Sequence, residues 1–195
     1  MSGRVVVVPT GTANLASVRA AFHRLDHAVD ITAEPTAIRD ARHVLLPGVG
    51  AFGAAMATLR ASGADAALVE RIAADRPTMA ICVGHQLLFQ ESAESPGVLG
   101  LGVVEAEVGR FPEGVRVPQF GWNEVRGEGR FLRAGFAYFA NSFRATDAPG
   151  WSVAVAEHGG PFVAMMERGN VVGCQFHPEL SSAFGRAILE AWLSC

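Results

Sequence analysis

Cysteine is scarce in this chain, with three residues in 195, at Cys82, Cys174 and Cys195. An odd, widely spaced set makes no disulfide framework. Without a CxxC pair there is no scaffold for zinc either, and no metal or organic cofactor is implied. Long apolar runs are also missing. The opening MSGRVVVVP falls short of the roughly 7–15 apolar residues of a secretory h-region, and nothing approaches the roughly 18 of a membrane span. Charge is thin at 18% of residues, with 16 Lys+Arg against 19 Asp+Glu and a net charge of −3. That balance supplies no basic face to displace counterions from a nucleic acid. The expectation is a soluble, cytoplasmic protein with reduced thiols and no nucleic-acid or membrane partner.

What is present is apolar: 50% of residues are hydrophobic, which excludes wholesale disorder. The length fits one domain over residues 1–195, large enough to bury a core without staples, and there is no repeat, low-complexity tract or linker. Arg4–Pro9 reads as a strand covered on both faces. Asn14–Leu25 reads as a helix with Leu15, Val18, Ala21, Phe22 and Leu25 on one face and Asn14 as its cap. Strands are expected at Val29–Thr32, His43–Pro47 and Thr78–Cys82, and helices at Gly53–Arg60, Asp65–Ala74 and Gly84–Glu91. This alternation implies βαβ units and a doubly wound, mostly parallel sheet. After Pro96 the texture changes: Gly97–Phe143 is glycine-rich with short alternating stretches, as in antiparallel hairpins. Strands at Val153–Glu157, Phe162–Glu167 and Asn170–Gln175 lead to a closing helix at Ala183–Leu193.

The most informative stretch is Ala80-Ile81-Cys82-Val83-Gly84, where a buried strand turns abruptly into a helix. A nucleophile on such a turn projects from the carboxyl edge of the sheet. The tight turn demands tiny side chains two before and two after it, and Ala80 and Gly84 meet that demand. The helix N-terminus behind the sulfur favours thiolate over thiol. On this pentapeptide alone a buried structural thiol is an equal alternative. Near the C-terminus, Gln175-Phe176-His177-Pro178-Glu179 follows a strand; Pro178 cannot donate to a ladder and marks the strand's end. The other histidines lack such company: His23, His27, His43 and His158 read as surface or helix residues, and His85 as packing or rim beside the nucleophile.

Taken together with Pro47-Gly48-Val49-Gly50 and Ile81-Cys82-Val83-Gly84-His85-Gln86-Leu87-Leu88, the His-Pro-Glu segment resembles the class I glutamine amidotransferases, in that family's order along the chain. Within them, Thr10–Val18 (TGTANLASV), Pro47–Phe52 with Ala55-Met56, Pro118–Asn123 (PQFGWN) and Tyr138–Phe143 (YFANSF) resemble the glutaminase subunits of imidazole glycerol phosphate synthases. The resemblance implies a flavodoxin-like three-layer α/β sandwich: a mostly parallel central sheet with additional antiparallel strands. It also implies a Cys82–His177–Glu179 triad that strips ammonia from glutamine. Cys82 attacks the amide, His177 shuttles the proton, and Glu179 holds the imidazole. Gly48, Val49 and Gly50, with the Val83 N–H, form the oxyanion loop. Gln86, Ser142 and Phe143 contact the bound glutamine.

The implied partner is a cyclase subunit, a (β/α)8 barrel, in a heterodimer. It would join the ammonia to the formimino carboxamide ribotide PRFAR, giving imidazole glycerol phosphate and AICAR in histidine biosynthesis. At 195 residues a fused synthase domain has no room, so the acceptor chemistry is expected on another chain. Three alternatives stay open: a glutaminase serving another synthase, such as that for pyridoxal 5'-phosphate or anthranilate; a non-catalytic, partner-binding subunit; and a thiol hydrolase of the related peptidase-like amidotransferase superfold. The sequence departs from the subfamily pattern at several positions. Ala80 replaces Gly, Gln119 and Asn141 stand where His is frequent, Phe143 replaces Tyr, and Leu180 replaces a partner-docking Lys.

Overall fold

The structure is a computed structural model that describes residues 3–11 and 15–195. The expected cap Asn14, and Thr12 and Ala13 of the opening motif, lie outside the described residues. The chain runs β1 (Gly3–Val7), α1 (Leu15–His23), β2 (His27–Ile31), α2 (Pro35–Asp40), β3 (His43–Leu46), α3 (Phe52–Ser62), α4 (Ala64–Ala73), β4 (Thr78–Ile81), α5 (Val83–Leu87), β5 (Phe89–Ser92) and β6 (Val104–Arg110). It continues through β7 (Gln119–Val125), β8 (Gly135–Asn141), β9 (Phe143–Ala145), β10 (Ser152–Glu157), β11 (Pro161–Arg168), β12 (Val171–Cys174) and α6 (Ser182–Leu193).

Five strands pair in parallel in the order β2-β1-β3-β4-β12, the doubly wound order of flavodoxin-like folds. β11 and β10 extend that sheet antiparallel beyond β12. The three innermost segments, HVLL, TMAI and VVGC, are buried at every position, because helices cover both faces of a parallel sheet. The crossover from β1 to β2 runs one way across the sheet, and those from β2 onward run the other. Right-handed crossovers therefore put α1 on one face and α2, α3 and α4 on the opposite one. The closing helix returns to the face of α1, where the Trp192 ring meets Phe22 at 6.3 Å and His43 at 5.0 Å between centroids. His43, expected at the surface, is thus buried. Truncating Trp192 to alanine would cost about 3–5 kcal/mol by the usual scale for buried aromatic deletions.

Two elements, β5 and α2, escape the sequence reading. The helix expected over Gly84–Glu91 stops at Leu87, and Phe89–Ser92 instead forms β5, paired with β6 in a small sheet that β9 completes. The apolar run Leu87-Leu88-Phe89 fits either period, and only the pairing with β6 decides it. The short helix α2, with Ile38 as its one buried residue, gives almost no periodic signal. Its end is organised by Arg71, a buried guanidinium without an acid partner. Arg71 donates to the carbonyls of Ile38, Arg39, Ala41, Arg42 and Pro77 and to the Thr78 hydroxyl. β7 and β8 form a separate hairpin whose outward face carries Phe120, Trp122, Phe136 and Tyr138. No helix among the described residues is long and apolar enough to cross a membrane.

Candidate active site

Three adjacent parallel strands end at one edge of the sheet, and each delivers part of the site. β3 runs into the Pro47–Gly50 loop, β4 into Cys82, and β12 into Gln175–His177. Ala80 pairs with Leu46 on one side and Gly173 on the other and is fully buried. Cys82 itself has φ 53° and ψ −110°, a conformation that costs a non-glycine residue on the order of 1–3 kcal/mol and is found at sites held by their surroundings. Its N–H donates to the Cys174 carbonyl at 2.7 Å, and its carbonyl accepts from the Gln86 N–H at 3.1 Å. A Cβ at Gly84 would collide with the Leu46 carbonyl oxygen. The sequence requirement for a tiny side chain there thus has a named cause.

His177 and Glu179 meet although the strand has ended. Pro178–Leu180 forms a 3-10 turn that brings the Glu179 Oε1 to 2.9 Å from His177 Nδ1. This leaves the other ring nitrogen, Nε2, for the Cys82 sulfur. Burial works to keep the imidazole neutral. Hydrogen bonds and charge from Cys82 and Glu179 overcome it and push the pKa from 6.5 up to about 10. The geometry therefore favours the imidazolium form of His177 at neutral pH, beside the Cys82 sulfur. The sulfur at position 82 and the imidazole at position 177 do meet at the rim.

A cavity of about 260 Å³ opens on this pair. Of the sequence-predicted residues, Val49, Gly50, Cys82, Val83, Gln86, Ser142, Phe143 and His177 line it, while Glu179 stands behind His177. Gly48 packs against the nucleophile turn, where a Cβ would sit 2.8 Å from both Gly84 N and Val83 Cβ. The expected oxyanion donor, the Val83 N–H, is engaged: it donates to the Gly48 carbonyl at 3.3 Å. Gly50 holds φ at +96°, in the region that favours glycine. A turn of the loop's peptide planes would release Val83.

Three residues at the site were missed by sequence reasoning. Glu94 lines the cavity and accepts the Phe52 N–H at 2.7 Å, tying the start of α3 to the rim. Asn141 lines it too, donating to the Phe143 carbonyl at 3.0 Å with its own Oδ1 buried and unpartnered. Gln175 is fully buried between Gln86 and Cys82. His85, one turn beyond the nucleophile, packs on Phe89 with both ring nitrogens unpartnered. Burial lowers its pKa from 6.5 to about 3, so it is a neutral packing residue. Among the described residues no group of three or more His, Cys, Asp or Glu could hold a metal ion.

A strained cysteine on a strand-to-helix turn, an imidazole lifted by a carboxylate and a backbone loop beside them define a thiol enzyme of the α/β class, built for attack on an amide or ester carbonyl. Comparison with known proteins narrows this. The model of the family "Glutamine amidotransferase class-I" matches residues 12–193. The chain is 39% identical to imidazole glycerol phosphate synthase subunit HisH of Symbiobacterium thermophilum, over 97% of this chain and 92% of that one. It is 37% identical to the chloroplastic imidazole glycerol phosphate synthase hisHF of Arabidopsis thaliana, over 97% of this chain but only 34% of that protein. The chain belongs to the class-I glutamine amidotransferases and, within them, to the family of the HisH subunits. The fold is shared with a solved glutamine amidotransferase at a TM-score of 0.77 (22% identity, 96% of this chain and 98% of that one). PurLQS from Thermotoga maritima superposes at 0.76 (17% identity, 100% and 99%).

Proposed function

We propose that residues 1–195 act as one cytoplasmic glutaminase domain that hydrolyses glutamine and passes the ammonia to a separate cyclase subunit of imidazole glycerol phosphate synthase. The supporting observation is the convergence of Cys82, His177 and Glu179 on a cavity sized for a small amino acid. The Cys82 thiolate adds to the side-chain amide carbon of glutamine. As the tetrahedral adduct collapses, the carbon–nitrogen bond breaks and the nitrogen takes a proton from His177, leaving as ammonia. The resulting thioester is attacked by water, whose proton goes to His177; the carbon–sulfur bond then breaks, releasing glutamate and restoring the thiolate. Glu179 keeps the proton on Nδ1 and stabilises the charged ring. Gln86, Ser142 and Phe143 hold the substrate. The Glu94 carboxylate lining the same cavity complements an α-ammonium group.

Dependence on a partner is supported by two further features. One is the occupied Val83 N–H: with Gly48, Val49 and Gly50 in this arrangement the oxyanion site lacks that donor, and losing one such donor costs roughly 10²–10³ in turnover. The other is the apolar rim. Phe120 is 73% and Trp122 55% exposed, both stacked edge-on against Tyr138. The Tyr138 carbonyl accepts the His177 N–H, so this face adjoins the catalytic base. We assign it to a (β/α)8 cyclase in a heterodimer. Leu180, which stands where the subfamily pattern has a lysine, makes that contact apolar at its edge. The 34% coverage of the Arabidopsis protein fits one module of a two-activity enzyme. The test is glutamate release with the cognate cyclase present and absent. A rise of at least a hundredfold with that cyclase, abolished by Cys82→Ala, is expected; stimulation only by a different synthase, or unchanged turnover in Cys82→Ala, refutes the proposal.

A further inference from the structure

The side-chain amides around the nucleophile form a chain whose polarity is fixed from one end. The Phe143 carbonyl can only accept. It receives Asn141 Nδ2 at 3.0 Å and Gln86 Nε2 at 3.3 Å. Gln86 must therefore point its NH2 at that carbonyl, and the same NH2 donates its second proton to Gln175 Oε1 at 2.9 Å. With Oε1 committed, the other end of the Gln175 amide is necessarily a donor. That end, Nε2, faces the Cys82 sulfur at 3.9 Å, the long reach of an N–H···S contact. Turning the Gln175 amide over would set donor against donor at Gln86, inside a pocket where Gln175 is fully buried.

We propose that Gln175 is a positioning residue that serves two partners at once: it offers a fixed N–H to the Cys82 thiolate and locks Gln86 in the orientation that binds substrate. The proposal rests on Cys82 being the nucleophile. A donor held against the sulfur stabilises the thiolate and disfavours the thiol, whose S–H would have no acceptor on that side. Both protons of the Gln86 amide are spent on Phe143 and Gln175, so the atom it can offer the cavity is Oε1, an acceptor for an ammonium or amide N–H of the ligand. One buried amide thus couples ligand recognition to the reactivity of the sulfur. The titratable groups facing that sulfur are His177, with Glu179 behind it, and Glu94 across the cavity.

The test is the pH profile of Cys82 alkylation by iodoacetamide in the full chain, read by peptide mass spectrometry, with glutamine KM and kcat measured alongside the cognate cyclase. Gln175→Glu is isosteric but replaces the donor by an acceptor. It should alkylate at least tenfold more slowly at pH 7, on a profile moved to higher pH, while its retained Oε1 still accepts from Gln86 and keeps KM near the parent's. Gln175→Met fills the same space with neither donor nor amide acceptor and should move the profile in the same direction by less, with KM raised as Gln86 is released; if the glutamate variant does not fold, this variant decides. Gln86→Leu, which frees the Gln175 amide to turn, should shift the profile as well. A merely structural Gln175 would lower the melting temperature and leave the profile alone. Variants that alkylate on the parent's profile overturn the role of Gln175. A parent chain whose Cys82 resists the reagent at every pH overturns the nucleophile itself, and this role with it.

Discussion

Replacing Glu179 by glutamine keeps the shape of the third triad member and removes only its charge. The His177 and Glu179 side chains are 8% and 5% exposed, so solvent screens their interaction little. Burial alone would hold the ring below its usual 6.5; Cys82 and Glu179 raise it to about 10. At about 1.4 kcal/mol per unit, that span is on the order of 5 kcal/mol of net preference for the imidazolium. Loss of the Glu179 charge withdraws part of that preference from the imidazolium and from proton delivery to the leaving amine. A second cost follows from Glu179 Oε2, which is buried without a partner. The new NH2 group either takes that place unpaired, costing about 1–3 kcal/mol, or turns to Nδ1. In the second case Nδ1 becomes the acceptor and the proton moves to Nε2, facing the sulfur, the wrong tautomer for a base. Together these give a fall in kcat/KM of about 10²–10⁴. The folded-state pKa is raised, so the imidazolium and the stability it contributes are complete below pH 6.5 and lost as pH climbs toward 10. In Glu179→Gln the alkaline limb of activity should therefore move down toward neutrality. Glutamate release from pH 6 to 9 with the cyclase present measures both effects. A kcat/KM within threefold of the parent, with the alkaline limb unmoved, refutes the reasoning.

Three other perturbations follow from the same structure. His85→Met removes a buried ring with two unpartnered nitrogens and should stabilise the chain by about 1–3 kcal/mol. The folded-state pKa of His85 is depressed to about 3, so the parent loses stability as pH falls below 6.5. Urea midpoints between pH 7 and 4 should show a flatter acid limb in the variant, and an unchanged limb would count against the assignment; His43, depressed to about 4, should keep its share of the slope. Arg71→Met strands the carbonyls that end α2 and should cost about 1–3 kcal/mol for each acceptor left buried and unpaired. Arg71→Lys should recover little, since three ammonium protons cannot serve six acceptors, and a urea midpoint near the parent's in either variant would refute this. Phe120→Ser with Trp122→Ser should weaken association with the cyclase at least tenfold in a titration by calorimetry, with little salt dependence because the contact is apolar; unchanged affinity would place the partner elsewhere.

The inner strands were legible because continuous burial leaves an unbroken apolar signal. RVVVV, HVLL and TMAI have no polar face to show, and all three lie in the parallel part of the sheet. The pair α3 and α4 was legible because Gly63, at φ 72°, ends the first helix and opens the second. Local signal failed where partners far along the chain decide the outcome. Phe89–Ser92 is a strand because Val104–Val108 lies beside it. His43 is buried because Trp192, at the far end of the sequence, closes over it.

The same division governs the site. The triad could be read because each member sits at a strand end that its neighbours announce, with small residues around Cys82 and a proline after His177. The occupied Val83 N–H could not, since it depends on where the Gly48 carbonyl points. Gln175 lies between these cases. Its partner Gln86 is 89 residues away, but its own position carried a usable signal. It lies two residues before His177, in the short stretch between the end of β12 at Cys174 and Pro178. A polar residue just beyond a buried strand that runs beside the nucleophile's own therefore has the reacting sulfur within reach.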